Sequence, residues 1–214
     1  MPAKANPTEQ REFYNDKLQP LMQKAKDGGA VLLFTDASHF VMGCDFLGYI
    51  YGKTRRFIKT CSGRKRYNVL GALNFATKKV TTFTNDMYIN AECVCALLKN
   101  LAEEYAGSPI YIVLDNASYQ RCKLVKSLAN KLGINLVYLP TYSPNLNLIE
   151  RLWKHVKKQL RTKYHEKFAM FKGEIDLILN NTNGKDKAKI DLLIGEKVQF
   201  FDDCIIIDTR AVLE

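Results

Sequence analysis

Two segments of one stretch establish the architecture, Tyr111-Ile-Val-Leu-Asp-Asn-Ala-Ser118 and Tyr138-Leu-Pro-Thr-Tyr-Ser-Pro-Asn-Leu-Asn-Leu-Ile-Glu150. The first is an apolar run that ends in Asp115, and the second ends in Glu150 on the first turn of a basic helix. The 34 residues between these two acids fit a helix followed by another buried strand. We therefore expect the two carboxylates to return to the same edge of one sheet.

A third acid follows a similar apolar run. The segment Ala30-Val-Leu-Leu-Phe-Thr35 has the character of a short buried strand and leads directly into Asp36. In open sheets with parallel strands, ligand sites gather beyond the carboxyl ends of the strands. Carboxylate oxygens suit Mg2+, and two such ions stabilise the attacking and leaving oxygens of a displacement at phosphorus. The three acids predict a site for two Mg2+ or Mn2+ ions, bridged by Asp36.

Each acid alone also has a purely structural interpretation. Asp36 fits the cap of a turn, and Asp115 fits a simple change from strand to loop. Glu150 follows Asn147 with the spacing of a capping box. The three acids together favour the metal site. Asn116 and Asn147 are close enough in sequence to orient water or substrate there, although turn and cap roles fit them equally.

The composition excludes several classes of protein. With 214 residues and 47% hydrophobic side chains, the chain has room for one large domain with a substantial core. Its six cysteines lack a Cys-x-x-Cys spacing, which favours reduced thiols over a zinc site or disulfides. No apolar run reaches the roughly 18 residues of a transmembrane helix, and no signal-peptide core is present. We therefore expect a cytoplasmic protein with no membrane partner.

The net charge of +10 is concentrated in two stretches. Residues 51–66 carry seven Lys or Arg and no acid, and residues 151–167 carry seven against one Glu. This placement favours a polyanion as the partner. In the second stretch, helical spacing puts the cations on the same face as Glu150. The predicted phosphate contacts are Lys53, Arg55, Arg56, Arg64, Lys65 and Arg66 in the first stretch and Lys154, Lys157, Lys158 and Arg161 in the second.

The other periodic segments complete an α/β fold. Residues 31–36, 44–52, 67–76 and 79–83 predict an antiparallel meander, and residues 109–114 and 134–139 predict parallel strands with helical crossovers. Helices are predicted at residues 8–26, with Pro20 kinking or splitting the first, and at 90–105, 120–132, 145–164 and 168–180. Together these elements predict a mixed five-stranded sheet flanked by helices.

Three features of the sequence resemble the catalytic domain of mariner-type transposases. They are Asp36 after its strand, Leu114-Asp-Asn-Ala117, and the specific signature Ser143-Pro-Asn-Leu-Asn-Leu-Ile-Glu150 at the 34-residue interval. The likeness covers residues 30–180 and is to the IS630-type branch of the Tc1/mariner superfamily. It implies an RNase H-like fold, a metal triad of Asp36, Asp115 and Glu150, and cut-and-paste transposition of double-stranded DNA into TA dinucleotides. It divides the chain into a leader and helix (1–29), a catalytic domain (30–180) and a C-terminal extension (181–214).

Two departures from the family pattern qualify the resemblance. Family members normally carry helix-turn-helix regions ahead of the catalytic domain, and fewer than 30 residues precede the first strand here. We therefore expect a separate helix-turn-helix subunit, and a homodimer that associates with the nucleoid when bound to DNA. Many relatives have His after the Asp-Asn-Ala segment, where this chain has Ser118-Tyr-Gln120. The alternatives are a catalytically silent DNA-binding or assembly module and a related RNase H-like nuclease.

Overall fold

Five strands form one mixed sheet in the described residues of the computed structural model, which are 5–43, 65–161, 163–195 and 198–200. The strands are β1 (Val31–Val41), β2 (Arg66–Asn74), β3 (Val80–Asn85), β4 (Ile110–Leu114) and β5 (Ile134–Tyr138). Their order is β3-β2-β1-β4-β5. Strand β2 is antiparallel to both β1 and β3, whereas β4 is parallel to both β1 and β5. The predicted mixed five-stranded sheet is confirmed.

Helices cover both faces of this sheet. They are α1 (Pro7–Phe13), α2 (Gln19–Lys26), α3 (Ala91–Glu104), α4 (Lys123–Lys131), α5 (Ile149–Leu160), α6 (Phe168–Thr182) and α7 (Lys187–Leu193). Helices α3 and α4 form the core on one face, and the others pack on the opposite face. None of the helices in the described ranges is both long and apolar enough to cross a membrane.

The position of strand β4 in the sheet explains why its sequence is an unbroken apolar run. It lies between β1 and β5 in the sheet, and helices cover both of its faces. Val113 enters the core beneath α5, and its neighbours Ile112 and Leu114 enter the core beneath α3 and α4. A polar side chain would be buried on either face, and the first polar residue, Asp115, follows where the strand ends.

The N-terminal helix divides at Pro20, as the sequence predicts. A π-helical turn, Tyr14–Leu18, joins α1 to α2. Proline has no N–H to donate and its ring clashes with the carbonyl of the preceding turn, so the regular hydrogen-bond ladder is interrupted there. Leu18 and Met22 are nonetheless buried against the sheet, which anchors this helix to the core.

The first strand is longer than predicted. We expected it to end at Asp36, but β1 continues to Val41, and Asp36 is paired with Gly71 in mid-strand. The prediction was wrong because the backbone hydrogen bonds between β1 and β2 continue past Asp36. These bonds do not depend on the side chain at that position. The strand predicted at residues 44–52 lies outside the described residues.

Several helix boundaries differ from the predictions. Helix α5 begins after a 3-10 turn at Pro144–Leu146 and ends at Leu160, and α4 begins at Lys123 because residues 118–120 form another 3-10 turn. Residues 187–193, for which no helix was predicted, form α7. Residues 201–214 of the predicted C-terminal extension lie outside the described residues. The division into three regions stays a prediction.

Candidate active site

The parallel pairing of β1 with β4 brings Asp36 and Asp115 to the same level of the sheet. Phe34 lies opposite Val113, and each acid follows two residues after its member of that pair. Because side chains alternate along a strand, the register puts both acids on the face to which Phe34 and Val113 belong. That face is the one covered by α5.

Asp36 is an almost buried carboxylate with a side chain from α5 bound to it. It is 9% exposed, and the indole Nε1 of Trp153 donates to its Oδ2 at 3.0 Å. Burial, followed by the negative charges of Glu150 and Asp115, raises the pKa of Asp36 from 3.8 to about 7. The hydrogen bonds from Ala37 N–H and Trp153 partly oppose this shift. Asp36 is thus electrostatically coupled to both of the other acids.

A local turn holds Asp115 at the end of β4. Its Oδ1 accepts a hydrogen bond from the backbone N–H of Ala117 at 3.2 Å. Asn116, between them, has φ +75°, a left-handed conformation that Asn tolerates better than most residues. The carboxylate of Asp115 is exposed and is oriented by its own backbone.

Glu150 is the second residue of α5 and is half-buried. Burial raises the pKa of Glu150, the charges of Lys157 and Lys154 lower it, and the charge of Asp115 raises it. The first turn of α5 has no side-chain cap. Asn147, considered as a cap, instead donates its side-chain amide to the carbonyl oxygen of Thr35 at 3.2 Å, and so fastens the turn before α5 to β1.

A pocket of about 180 Å³ opens beside these residues. It is lined by Asp115, Leu139, Pro140, Tyr142, Ser143, Pro144, Asn147 and Glu150. Two of the three predicted acids therefore share one cavity. The third, Asp36, is not part of the lining, and its charge reaches the other two from a buried position.

The donor chemistry of the three acids fits a hard divalent cation. All three supply carboxylate oxygens, and Asn147 adds a buried Oδ1 that has no hydrogen-bond partner. As placed, however, no three His, Cys, Asp or Glu side chains in the described part of the chain form a group that could hold a metal ion. The three acids lie close enough to influence one another's protonation. That they bind a metal ion is a proposal.

The predicted phosphate-binding residues are only partly described. Lys154, Lys158 and Arg161 are exposed on α5, and Lys157 is half-buried with its Nζ 5.9 Å from the centre of the Phe40 ring. Of the predicted contacts in the first basic stretch, the structure describes Lys65 and Arg66. Lys65 lies on the sheet face that packs against α5 and α6, and Arg66 lies on the opposite face, because side chains alternate along a strand. The predicted residues outside the described ranges are Lys53, Arg55, Arg56 and Arg64.

Two aromatic residues near the acids were not predicted to take part. Trp153 is 2% exposed and packs in the core, and its hydrogen bond to Asp36 was not predicted. Burial, then the charges of Asp115 and Asp36, raise the pKa of Tyr119 to about 12. Two features of the sequence could have pointed to these aromatic residues. Trp153 lies three residues after Glu150, and residues 118–120 depart from the family pattern.

The fold is the RNase H-like fold of transposase and integrase catalytic cores. The Mos1 transposase paired-end complex with the left transposon end matches with a TM-score of 0.62 at 13% identity, over 93% of this chain and 66% of that chain. The Mos1 mariner paired-end complex with Mn gives 0.63 at 14% identity, over 93% and 66%. The isolated catalytic domain of Mos1 mariner transposase gives 0.58 at 13% identity, over 93% and 100%.

The sequence comparison defines the family. Residues 31–172 match the DDE superfamily endonuclease family, and the chain belongs to that family. An uncharacterized 39 kDa protein of insertion element IS630 from Shigella sonnei is 28% identical over 122 residues, which are 56% of this chain and 35% of that protein. The resemblance to IS630-type, Tc1/mariner catalytic domains is confirmed.

Proposed function

We propose that this chain is the catalytic domain of a DNA transposase. It hydrolyses phosphodiester bonds at transposon ends and transfers the resulting 3′-hydroxyl into target DNA at TA dinucleotides. The observation that supports this most strongly is geometric: the register of β1 and β4 brings Asp36 and Asp115 to the same level of the sheet, and Asp115 shares a pocket with Glu150, in a chain of the DDE endonuclease family. Buried like charges raise the free energy of the folded protein unless a ligand compensates them.

In this proposal Asp36, Asp115 and Glu150 hold two Mg2+ or Mn2+ ions. Bound there, the ions would supply Lewis-acid stabilisation of the attacking and leaving oxygens at phosphorus. The chain itself supplies placement. Ala117 N–H fixes the Asp115 carboxylate, and the bond from Asn147 to Thr35 holds the start of α5, and thus Glu150, against β1.

The basic face of α5 is the proposed track for the DNA backbone. Lys157 lies beside Phe40, four residues beyond Asp36, so α5 extends from the acids in the same direction as β1. From Glu150 to Arg161 the helix rises roughly 16 Å, at about 1.5 Å per residue. Lys154, Lys158 and Arg161 are exposed along that length. A duplex bound there would have its scissile phosphate at the acids and its neighbouring phosphates at these cations.

The proposed partners follow from the activity. The substrates are double-stranded transposon ends and target DNA, and their recognition involves a separate helix-turn-helix subunit and a homodimer on DNA. Action on cellular DNA places the protein in the cytoplasm, associated with the nucleoid. These assignments extend beyond the family membership.

Metal-dependent nicking of supercoiled plasmid DNA tests the proposal. The wild-type protein is expected to nick with Mn2+ or Mg2+, whereas Asp115→Asn loses cleavage but retains most of its DNA affinity. Glu103→Gln removes an exposed charge on α3, away from the site, and is the matched control. Wild-type protein that binds plasmid without nicking it would support a silent module instead. Faster cleavage of an RNA–DNA hybrid than of transposon-end DNA would support a ribonuclease.

A further inference from the structure

Trp153 joins two features of the site that are far apart in sequence. It lies three residues after Glu150, on the buried face of α5, and its indole donates to Asp36 across 117 residues of sequence. It is the only tryptophan in the chain. Its ring also packs edge-on against Phe40, with 6.3 Å between ring centroids and an interplanar angle of 79°. One helix therefore carries both a proposed ligand and a donor to another proposed ligand.

Gly71 provides the space that the indole occupies. It is the residue of β2 paired directly with Asp36. A Cβ added to Gly71 would lie 2.7 Å from Cη2 and 2.8 Å from Cζ2 of Trp153, closer than real Cβ contacts allow. The indole therefore lies directly over the β1–β2 ladder, at the level of Asp36, only because residue 71 has no side chain.

We infer that Trp153 is a positioning residue for Asp36, which it holds in the orientation that binds a divalent cation, and that Gly71 makes this contact possible. The inference rests on the proposed metal site. A carboxylate has two oxygens and several lone-pair directions, and a donor fixed on Oδ2 selects among them. Outer-sphere hydrogen bonds of this kind typically change metal affinity by about 10- to 100-fold.

A packing role alone would not need the N–H group. Buried tryptophans usually find a partner for this donor, and a backbone carbonyl would serve. Here the partner is the buried acid that is coupled to both other acids of the site. The Ala37 backbone N–H bonds to the same carboxylate. The indole and backbone N–H groups together restrict rotation of the Asp36 carboxylate. Without them this carboxylate would turn away from the negative charges of the other two acids.

Calorimetric titration with Mn2+ tests the inference on the whole chain. Trp153→Phe keeps most of the apolar volume and removes only the donor, and it is expected to weaken Mn2+ binding about 10- to 100-fold. Phe40→Leu, the matched control, disturbs the same aromatic contact and keeps the donor, so its Mn2+ affinity is expected to stay close to wild type. Equal affinities in wild type and Trp153→Phe would overturn the positioning role and leave the proposed function intact. Wild-type protein that shows no Mn2+ binding dependent on Asp36 would overturn both.

A second measurement needs no variant of Trp153. The single indole N–H gives one cross-peak in a nitrogen–proton correlation spectrum, and we expect Mg2+ to shift it saturably in wild-type protein. At a pH well above 7, where the Asp36 carboxyl of metal-free wild type is ionised, the same peak in Asp36→Asn is expected to lie upfield, because the acceptor has lost its charge. A peak that stays in place on both changes, while calorimetry shows Mg2+ binding, would overturn the inference.

Discussion

The side-chain amide of Asn147 donates a hydrogen bond to the backbone carbonyl of Thr35, and so ties the residue before Asp36 to the turn before Glu150. The bond is 3.2 Å long and buried. It connects two segments that are 112 residues apart in sequence. The relative position of Asp36 and Glu150 therefore depends on an uncharged side chain whose hydrogen bond goes to the backbone.

Replacing Asn147 is expected to impair cleavage more than folding. Asn147→Ala removes the buried donor, which costs about 1 to 3 kcal/mol of unfolding free energy, and releases the start of α5 from β1. Urea unfolding measures the first effect, and plasmid nicking at a temperature where the variant is fully folded measures the second. Asn145→Ala, which loses bonds to Gln10 and the Gln199 carbonyl instead, is the control from the same turn. Unchanged nicking in folded Asn147→Ala would contradict the role of the tether.

The raised pKa of Asp36 predicts a specific pH dependence of stability in metal-free protein. The folded state holds this proton more tightly than the unfolded chain, with a pKa of about 7 against an ordinary value of 3.8. The stabilisation is therefore complete below about pH 4 and is lost as the pH rises through about 7, with a limiting slope of roughly 1.4 kcal/mol per pH unit. Asp36→Asn should lack this decline.

Urea unfolding in EDTA between about pH 5 and pH 8 measures that difference. The gain in stability of Asp36→Asn over wild type should grow as the pH rises. Asp16→Asn replaces an exposed acid of the N-terminal helix and serves as the control. Parallel pH profiles for wild type and Asp36→Asn would show that the carboxyl of Asp36 is not buried as described.

Gly71 predicts an unusually costly glycine-to-alanine change. The added methyl group would meet Trp153 and the Cδ1 of Ile149, and overpacking of this kind costs about 1 to 3 kcal/mol. Gly173→Ala, in α6, is the matched control, because nothing lies within 4 Å of its added Cβ and alanine favours helix. Thermal melts of the two variants should shift in opposite directions. A Gly71→Ala protein as stable as wild type would contradict the close packing of the indole.

The basic face of α5 predicts a measurable salt dependence of DNA binding. If Lys158 and Arg161 each neutralise a phosphate, their joint replacement by Ala should reduce the slope of log K against log salt by about 2. Lys131→Ala on α4, on the opposite side of the sheet, should leave the slope unchanged. Fluorescence anisotropy with a labelled duplex at several salt concentrations gives both values. Equal slopes for the double variant and wild type would exclude this face from the DNA interface.

The sequence was sufficient to predict the strands and helices whose own pattern of apolar and polar residues shows which side is buried. The apolar run before Asp115 predicted β4, and helical spacing predicted α5 with its cations on the same face as Glu150. It was insufficient where a side chain takes its role from a distant segment. An acid inside a strand resembles a strand end, so Asp36 was placed at the end of β1, and the indole N–H of Trp153 has no local partner that a sequence pattern would show.

A crystal structure of the wild-type protein soaked with Mn2+, with an anomalous difference map, measures most directly whether the three acids form one metal site. We expect Mn2+ peaks within coordination distance of the carboxylate oxygens of Asp36, Asp115 and Glu150. Peaks only at other surface acids, with none at Asp36, would contradict the metal site and the transposase chemistry built on it.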